Sequence, residues 1–194
     1  MVNNLNIDLI RMCEKGDAEN VKLLLYQEID INISDLDGFT PIFYVCKYGF
    51  TDTARLLIDK GATINIKSNS GDTPLIISSL NGHVGTTRLL LTRGAFVNVK
   101  NNEGNTPLIY ACKNGLLDIV KLLVDHGGDI NAKDRDGKTL LIIACENKHI
   151  GTAMFLIENG ADLSLVNNNA ETVLDIALKM KLERIVDYIT QRDE

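Results

Sequence analysis

The chain has 194 residues, a formal net charge of −6 and 45% hydrophobic residues. That apolar content excludes a disordered chain and is sufficient for one or two folded domains. The acidic balance argues against a general nucleic-acid binder, because phosphate contacts need clustered lysine and arginine. The sequence shows neither a basic-then-apolar signal segment nor an apolar run long enough to cross a bilayer. We therefore expect a soluble, unsecreted, cytoplasmic protein, with the nucleus or a host-cell cytosol as alternatives.

Several residue types recur with a period of 33 residues. Cys13 and Cys46 are 33 residues apart, as are Cys112 and Cys145. The same period relates the ladders Gly38, Gly71, Gly104 and Gly137; Gly61, Gly94, Gly127 and Gly160; Thr40, Thr73, Thr106, Thr139 and Thr172; and Asn32, Asn65, Asn98 and Asn131. A repeat of this length predicts stacked supersecondary units, each too small to bury its apolar residues alone.

One unit can be read in chain order from its local chemistry. Thr73-Pro74 predicts a helix start, because the threonine hydroxyl accepts free amide hydrogens and proline suits the first helical position. Gly82 and Gly94 predict the ends of this first helix and of a second one. The alternating segment 97–99 and the turn before Gly104 then indicate an extended, hairpin-like connection.

Three segments resemble the signature of the ankyrin repeat family. They are Asp35–Ile42, with the sequence DLDGFTPI, Asn105–Gly115, with NTPLIYACKNG, and Ile119–Gly127, with IVKLLVDHG. The resemblance covers nearly the whole chain. It implies an all-α solenoid of stacked helix-turn-helix units joined by β-hairpin loops. It also implies a general-purpose scaffold for binding other proteins.

We expect a single ankyrin-repeat domain over residues 1–194, built from six helix pairs. Its predicted parts are a capping unit at 1–34, repeats at 35–67, 68–100, 101–133 and 134–166, and a second capping unit at 167–194. The first pair lacks the Thr-Pro start, and the last carries charged residues on a helix with no following neighbour. Atypical polar ends of this kind are what a solenoid needs to stay soluble.

The chain departs from the family signature at two kinds of position. Apolar residues replace the histidine that usually follows Thr-Pro-Leu, and we expect their contacts to substitute for its hydrogen bonds; they are Phe43, Ile76, Ile109 and Ile142. In the repeat at 134–166, Leu140 replaces the proline and Lys148 replaces the glycine that ends the first helix. A non-glycine residue at positive φ costs on the order of 1 kcal/mol, so we expect this repeat to fray before the central ones.

No motif predicts catalysis, a cofactor or a metal site. The four cysteines form no CxxC pair and share one repeat position, which indicates buried core residues and four free thiols. No HExxH pair occurs, and turn or helix-end roles are expected for His83, His126 and His149. The acidic segments 35–38 and 134–137 lack the further ligands of a calcium loop and are interpreted as turns. We therefore predict a protein that is not an enzyme.

The aromatic residues are unevenly distributed along the chain. Five of the ten phenylalanines and tyrosines lie between positions 39 and 50. Phe39 and Tyr48 occupy positions that resemble the variable, partner-facing ones of the family, and interface hot spots favour tyrosine. We expect them to anchor a partner; the alternative, that this repeat simply packs with bulkier side chains, stays open. The predicted partner contacts are Leu36, Asp37, Phe39, Tyr48, Asp72, Leu80, Asn81, Asn105, Lys113, Asn114, Arg135 and Lys138.

Two polar ladders also have alternative interpretations. Lys67, Lys100 and Lys133 precede successive turns, which suits either an acidic partner segment or ordinary solvated turns; the second interpretation is favoured. The asparagine ladder is expected to fix the hairpin turns through bonds from side chain to backbone. The family resemblance also implies that such asparagines are candidate substrates of an asparaginyl hydroxylase.

These observations predict a monomeric, non-enzymatic module that binds a partner protein on its concave face. It would act as an adaptor or scaffold, or as a pathogen effector if the many Asn and Ile residues reflect an AT-rich genome. A rigid solenoid loses little conformational freedom on binding, which favours affinity. The alternative is a structural or regulatory subunit of a larger assembly, which contacts its partners through the capping ends. No nucleic acid or membrane is expected as a partner.

Overall fold

The computed structural model describes residues 4–191, and it is all-α over that range. The helices are α1 (Asn4–Lys15), α2 (Ala18–Leu24), α3 (Pro41–Tyr48), α4 (Thr51–Asp59), α5 (Pro74–Leu80), α6 (Val84–Thr92), α7 (Pro107–Lys113), α8 (Leu117–Asp125), α9 (Leu140–Glu146), α10 (Ile150–Glu158), α11 (Val173–Lys179) and α12 (Glu183–Thr190). They form six pairs, which confirms the predicted number. None of these helices combines the length and the apolar character that a bilayer crossing requires.

The chain divides into two compact units, Met1–Asn102 and Glu103–Glu194. In the first unit, α1, α3 and α5 pack side by side in one layer, and α2, α4 and α6 pack in a second. In the second unit, α7, α9 and α11 form one layer, and α8, α10 and α12 the other. Each unit therefore buries its apolar residues between neighbouring repeats, as the periodicity predicts. The single domain over residues 1–194 stays a prediction.

Threonine caps start the first helix of most pairs. The hydroxyls of Thr73, Thr106 and Thr139 each accept the amide hydrogen of the third helical residue, at 3.2 Å. Such a bond satisfies one of the free amides at a helix start. Leu140 therefore replaces the usual proline without loss of the helix. Thr40 differs, because its buried hydroxyl makes no hydrogen bond within residues 4–191, and nothing in the structure explains this.

The residues that replace the family histidine lie in the core. Phe43, Ile76, Ile109 and Ile142 are each at most 1% exposed. Phe43 is the largest of the fully buried side chains, and it stands in α3 beside Ile42, which is equally buried. Burying an aliphatic or aromatic side chain of this size stabilises a fold by about 1.5–3 kcal/mol. Apolar packing thus occupies this position, as expected.

The four cysteines are buried and free, which confirms the four predicted thiols. Burial raises the pKa of each thiol, to about 12 at Cys13 and at Cys145, because a thiolate loses its hydration in an apolar core. Ser79 takes the same repeat position in the 68–100 repeat, and within the described chain its buried hydroxyl has no hydrogen-bond partner. This repeat position therefore favours a thiol over a hydroxyl.

The connections between pairs are turns rather than paired strands. An isolated antiparallel bridge between Lys133 and Thr139 is the β-structure found within residues 4–191. We call the turn that closes each connection a tip and number the tips in chain order, at residues 35–39, 68–72, 101–105, 134–138 and 167–171. The expected β-hairpin loops are thus reduced to these short tips.

Asparagines of the predicted ladder join consecutive repeats. The side-chain oxygens of Asn32, Asn65 and Asn131 each accept an amide hydrogen from a residue 31 positions later, at 2.8–2.9 Å. The bonds from side chain to backbone were expected, but they reach the connection of the next repeat rather than their own turn. These asparagines therefore contribute to stacking as well as to local shape.

Two histidines make a further bond between repeats. The Nε2–H of His83 donates to the carbonyl of Lys47 at 2.9 Å, and that of His149 donates to Lys113 at 3.1 Å. Both carbonyls lie in the last turn of the preceding first helix, where backbone acceptors lack helical partners. The two rings also cover the glycine that follows that helix, leaving no room for a Cβ atom.

Gly115→Ala is expected to lower the free energy of unfolding by about 2–3 kcal/mol. An alanine there would hold a positive φ and would displace the His149 ring from the Lys113 carbonyl. Gly127→Ala is the matched control, because Gly127 also has a positive φ but has nothing within 4 Å of a Cβ atom. Urea denaturation of both variants measures the difference. Equal losses would show that the ring contact contributes nothing.

Lys148→Gly is expected to raise the free energy of unfolding by about 1 kcal/mol. Lys148 holds φ at 59°, which confirms the positive φ expected from the sequence. A histidine of the next repeat covers Gly49 and Gly115, whereas the residue at the same spacing after Lys148 is Leu182. Relief of the backbone strain is therefore the main effect of the substitution. Hydrogen exchange of the 134–166 amides should slow in the variant, whereas Lys148→Ala should leave it unchanged. Faster exchange in Lys148→Gly would contradict the strain argument.

Candidate functional site

The first tip exposes an apolar side chain on an acidic turn. The Asp35 Oδ1 atom accepts the amide hydrogens of Asp37 at 2.9 Å and of Phe39 at 2.8 Å. These bonds curl the chain so that Leu36, between them, is 97% exposed. An exposed leucine on a rigid turn is available for contact with a partner.

An aromatic cluster connects this tip to α3. The Phe39 ring lies 5.0 Å from that of Phe43 and 6.1 Å from that of Tyr44, the latter edge to face. The Tyr44 hydroxyl donates to Asp35 Oδ2 at 2.5 Å. Partial burial raises the pKa of Tyr44, as do the bond to Asp35 and the nearby charge of Glu14. Phe39 is therefore a half-buried side chain held in place by two rings.

Tyr48 lies at the other end of α3, one turn beyond Tyr44. It is 41% exposed, its ring is 6.0 Å from Phe50, and the Lys47 ammonium lies 5.4 Å from the ring centre. Residues four apart share a helix face, so Tyr44 and Tyr48 continue the surface that begins at Phe39. Leu36, Asp37, Phe39 and Tyr48 thus lie in a single repeat, the first three at its tip and Tyr48 at the end of α3.

The predicted contacts of the 68–100 repeat are engaged in internal bonds. The Asp72 carboxylate accepts hydrogen bonds from Ser70 Oγ at 2.6 Å and from Asn101 Nδ2 at 2.8 Å. Asn81 caps the end of α5 by donating from Nδ2 to the Ile77 carbonyl at 2.8 Å. Leu80 is half-buried. These residues shape the surface and are less available to a partner than Leu36.

An open depression separates the first tip from the second. Asp37, Phe39, Asn69 and Ser70 line it, and its volume is about 510 Å³. Asn69 forms the floor between the tips, because its Nδ2 donates to the Leu36 carbonyl at 2.8 Å and its amide donates to the Asp37 carbonyl at 2.9 Å. The depression is therefore framed by one carboxylate, one aromatic ring and two polar side chains.

In the second unit, the predicted contacts of the third tip and of α7 are polar. Asn105 Nδ2 donates to Glu103 Oε2 at 3.2 Å and to the Tyr110 hydroxyl at 3.3 Å. Lys113 and Asn114 are exposed at the end of α7. The surface these residues form lacks the exposed apolar side chain of the first tip.

The fourth tip carries the last two predicted contacts. Lys138 Nζ pairs with Glu146 Oε2 at 2.8 Å, and this hydrogen bond raises the pKa of Lys138. Arg135 is exposed, and its side chain lies over Gly104. Both cations therefore already have neighbours within the second unit.

Two members of the lysine ladder bond to the backbone one repeat on. Lys67 Nζ donates to the Lys100 carbonyl at 3.1 Å, and Lys133 Nζ donates to the Val166 carbonyl at 2.8 Å. This use of the ammonium groups supports the interpretation of the ladder as part of the turns.

Sequence reasoning missed two features of the surface. His83 and His149 share one repeat position, 66 residues apart, and that spacing was a readable signal for the bonds they make between repeats. Tyr26 and Phe96, at 72% and 64% exposed, lie outside the predicted contacts. Within residues 4–191, no group of three or more histidine, cysteine or acidic side chains is arranged to hold a metal ion.

The stacked helix pairs and their tips define a helical repeat protein. A family model described as ankyrin repeats (three copies) matches residues 9–101, 65–134 and 129–194, so the chain belongs to the ankyrin repeat family. Ankyrin repeats are generally protein–protein interaction modules and are typically non-enzymatic. A search of curated proteins gave no significant match.

Proposed function

We propose that this protein binds a partner protein through the first tip and the exposed side of α3. The observation that supports this most directly is the 97% exposure of Leu36 on a turn fixed by Asp35. Phe39 and Tyr48 extend the same surface, and Asp72 and Asn81, also in the first unit, would form part of its polar rim. A small apolar centre with a polar rim is the usual anatomy of a protein interface.

The rigidity of this surface favours binding. The Phe39 ring is held by Phe43 and Tyr44, so few rotamers are lost when a partner is bound. Tyrosine side chains with one polar end are common hot spots, and truncating such an anchor costs at least about 2 kcal/mol of binding free energy. Tyr48 meets this description, being partly exposed at a helix end.

A crosslinking pull-down compares wild type with the Phe39→Ala/Tyr48→Ala variant after circular dichroism has shown that both are folded. A protein captured by wild type and lost in the variant supports the proposal. The matched control is Tyr26→Ala/Phe96→Ala, which removes two exposed aromatic rings elsewhere in the first unit. Equal capture by all three proteins would exclude the first tip and α3 as the binding surface.

The same experiment addresses the biological role. We propose that the protein acts as an adaptor in the cytoplasm, with a pathogen effector in the host cytosol as the second candidate. Capture from lysate of the source organism supports the adaptor, and capture from host lysate supports the effector. Capture that is specific to neither lysate would contradict both.

A second candidate function is a subunit that associates through its capping ends. The observation that favours it is Leu178, which is 57% exposed in α11 at the last pair. A groove of about 270 Å³ lies beside it, lined by Leu178, Leu182 and Val186 among others. Leu178→Glu should abolish association in this case, while Phe39→Ala/Tyr48→Ala should not.

A further inference from the structure

The first and fourth tips have the same backbone design. Their sequences are Asp-Leu-Asp-Gly-Phe at 35–39 and Asp-Arg-Asp-Gly-Lys at 134–138. In each, the Oδ1 atom of the first aspartate accepts two amide hydrogens at 2.8–2.9 Å. The two tips differ in sequence only at their second and fifth positions, so the side chains at those positions are the main difference between the tips themselves.

The fourth tip supplies its own cations. Arg135 and Lys138 stand at the two variable positions, and Lys138 is paired with Glu146. Besides Glu146, the charges of Asp134 and Asp136 also act on Lys138 and help to raise its pKa, so these aspartates have a cation beside them. This tip therefore needs no external cation.

The first tip has apolar side chains at the same two positions. Its acids are Asp35 and Asp37, with Glu14 close enough to act on the Tyr44 hydroxyl. Both oxygens of Asp35 are occupied by Phe39, Asp37 and Tyr44. The Asp37 carboxylate, by contrast, is exposed and has no hydrogen-bond or ion-pair partner among the described residues.

We propose that the first tip binds an arginine side chain of the partner, next to an apolar residue that packs on Leu36. The inference rests on the proposed function and names the chemistry of the partner segment. Asp37, at the edge of the depression between the first and second tips, would receive the guanidinium. The partner's arginine takes the place that Arg135 and Lys138 fill in the fourth tip.

The lining of the depression suits arginine better than lysine. A guanidinium makes two parallel bonds to a carboxylate and stacks on an aromatic face, and both Asp37 and Phe39 line this depression. Asn69 and Ser70 complete the lining with polar side chains, which suit a ligand that carries several donors. Lysine has one ammonium and cannot use the carboxylate and the ring in this way.

The first test is a selection of random short peptides, displayed on phage, against the full chain. The Leu36→Arg/Phe39→Lys variant, which converts the first tip to the fourth, is used for depletion after its fold is checked by circular dichroism. Enriched peptides are expected to carry an arginine beside an apolar residue. Enriched peptides without arginine, or no enrichment, would overturn the inference.

The second test measures the affinity of one enriched peptide by isothermal titration calorimetry. Asp37→Asn is expected to weaken binding by roughly tenfold or more, since a charge-assisted bond is lost. Asp136→Asn, at the same position of the fourth tip, is expected to leave the affinity unchanged. Both changes are isosteric and lie on exposed tips, so they test charge rather than folding. Equal weakening in both variants would overturn the inference.

The outcomes separate this inference from the proposed function. Peptides that lack arginine but lose affinity in Phe39→Ala/Tyr48→Ala would overturn the arginine site and leave the binding surface standing. Whether the first tip and α3 bind a partner at all is decided by the pull-down, independently of the peptide measurements. Replacing the peptide arginine with lysine adds a direct check, because unchanged affinity would exclude the bidentate and stacked contacts argued from Asp37 and Phe39.

Discussion

The free energy of unfolding is expected to fall by about 5 kcal/mol when the pH is raised from about 8 to about 10. The cause is the set of four buried thiols, Cys13, Cys46, Cys112 and Cys145. In the unfolded chain each thiol ionises near its ordinary pKa of 9.0. In the folded protein burial raises the pKa of every one, so the protons stay bound.

The direction follows from the number of bound protons. Stability is fully present below the unfolded pKa of 9.0, where both states are protonated, and is lost as pH rises toward the folded values. Between these limits the folded state holds more protons than the unfolded state. Each thiol then lowers the free energy of unfolding by about 1.4 kcal/mol for each pH unit. The raised pKa of Tyr44 adds to the loss in the same direction. A domain with a total stability of about 5–15 kcal/mol would then be close to unfolding.

Urea denaturation at the two pH values measures the effect. The control is a variant with all four cysteines replaced by alanine, which is expected to be less stable at neutral pH but to lose much less stability in alkali, since the Tyr44 contribution remains and the thiol contribution does not. The quantity compared is the change in the free energy of unfolding between the two pH values. The packing energy lost through the substitutions is the same at both pH values and therefore cancels. A wild-type stability that is flat with pH would mean that the thiols are not protected as their burial indicates.

Phe43→Ala is expected to lower the free energy of unfolding by about 3–5 kcal/mol, because it leaves a cavity in the first unit. Phe43 is 1% exposed, whereas Phe39, whose ring is 5.0 Å away, is half-buried. Phe39→Ala should therefore cost much less, on the order of 1 kcal/mol. Urea denaturation of the two variants gives both values.

This pair of variants also separates folding from binding. If Phe39→Ala were as destabilising as Phe43→Ala, the bulkier-packing interpretation of the aromatic cluster would be correct. A small stability loss at Phe39 combined with a loss of partner capture would instead assign that ring to the interface. The two measurements together decide between alternatives that the sequence leaves open.

The repeat architecture could be predicted because its signals are local and recur every 33 residues. Thr73-Pro74 and its counterparts predict helix starts from hydrogen-bond and φ requirements that hold in any context. The buried positions of Cys46 and Phe43 follow from the same register. Such features are set by residues that are close in the sequence and belong to the same repeat. They can therefore be predicted from one sequence.

The contacts between repeats were harder to predict. Asp72 is a predicted partner contact, and its carboxylate also bonds to Ser70 and to Asn101, which is 29 residues away in the sequence. Whether side chains so far apart in the sequence form a hydrogen bond depends on how the repeats stack. For the same reason the asparagine ladder was assigned to its own turns. Candidate surface residues therefore need the three-dimensional arrangement before their availability can be judged.

The tips carry a consequence for how the array can change in length. Asn69 bonds to the carbonyls of Leu36 and Asp37, and Asn102 repeats both bonds on Asn69 and Ser70, each 32 or 33 residues earlier. Because donor and acceptor recur at a fixed offset at these two junctions, a duplication of the repeat at 68–100 would join tips whose hydrogen bonds already match. The same does not hold at the fourth tip, where Arg135 interrupts the asparagine series.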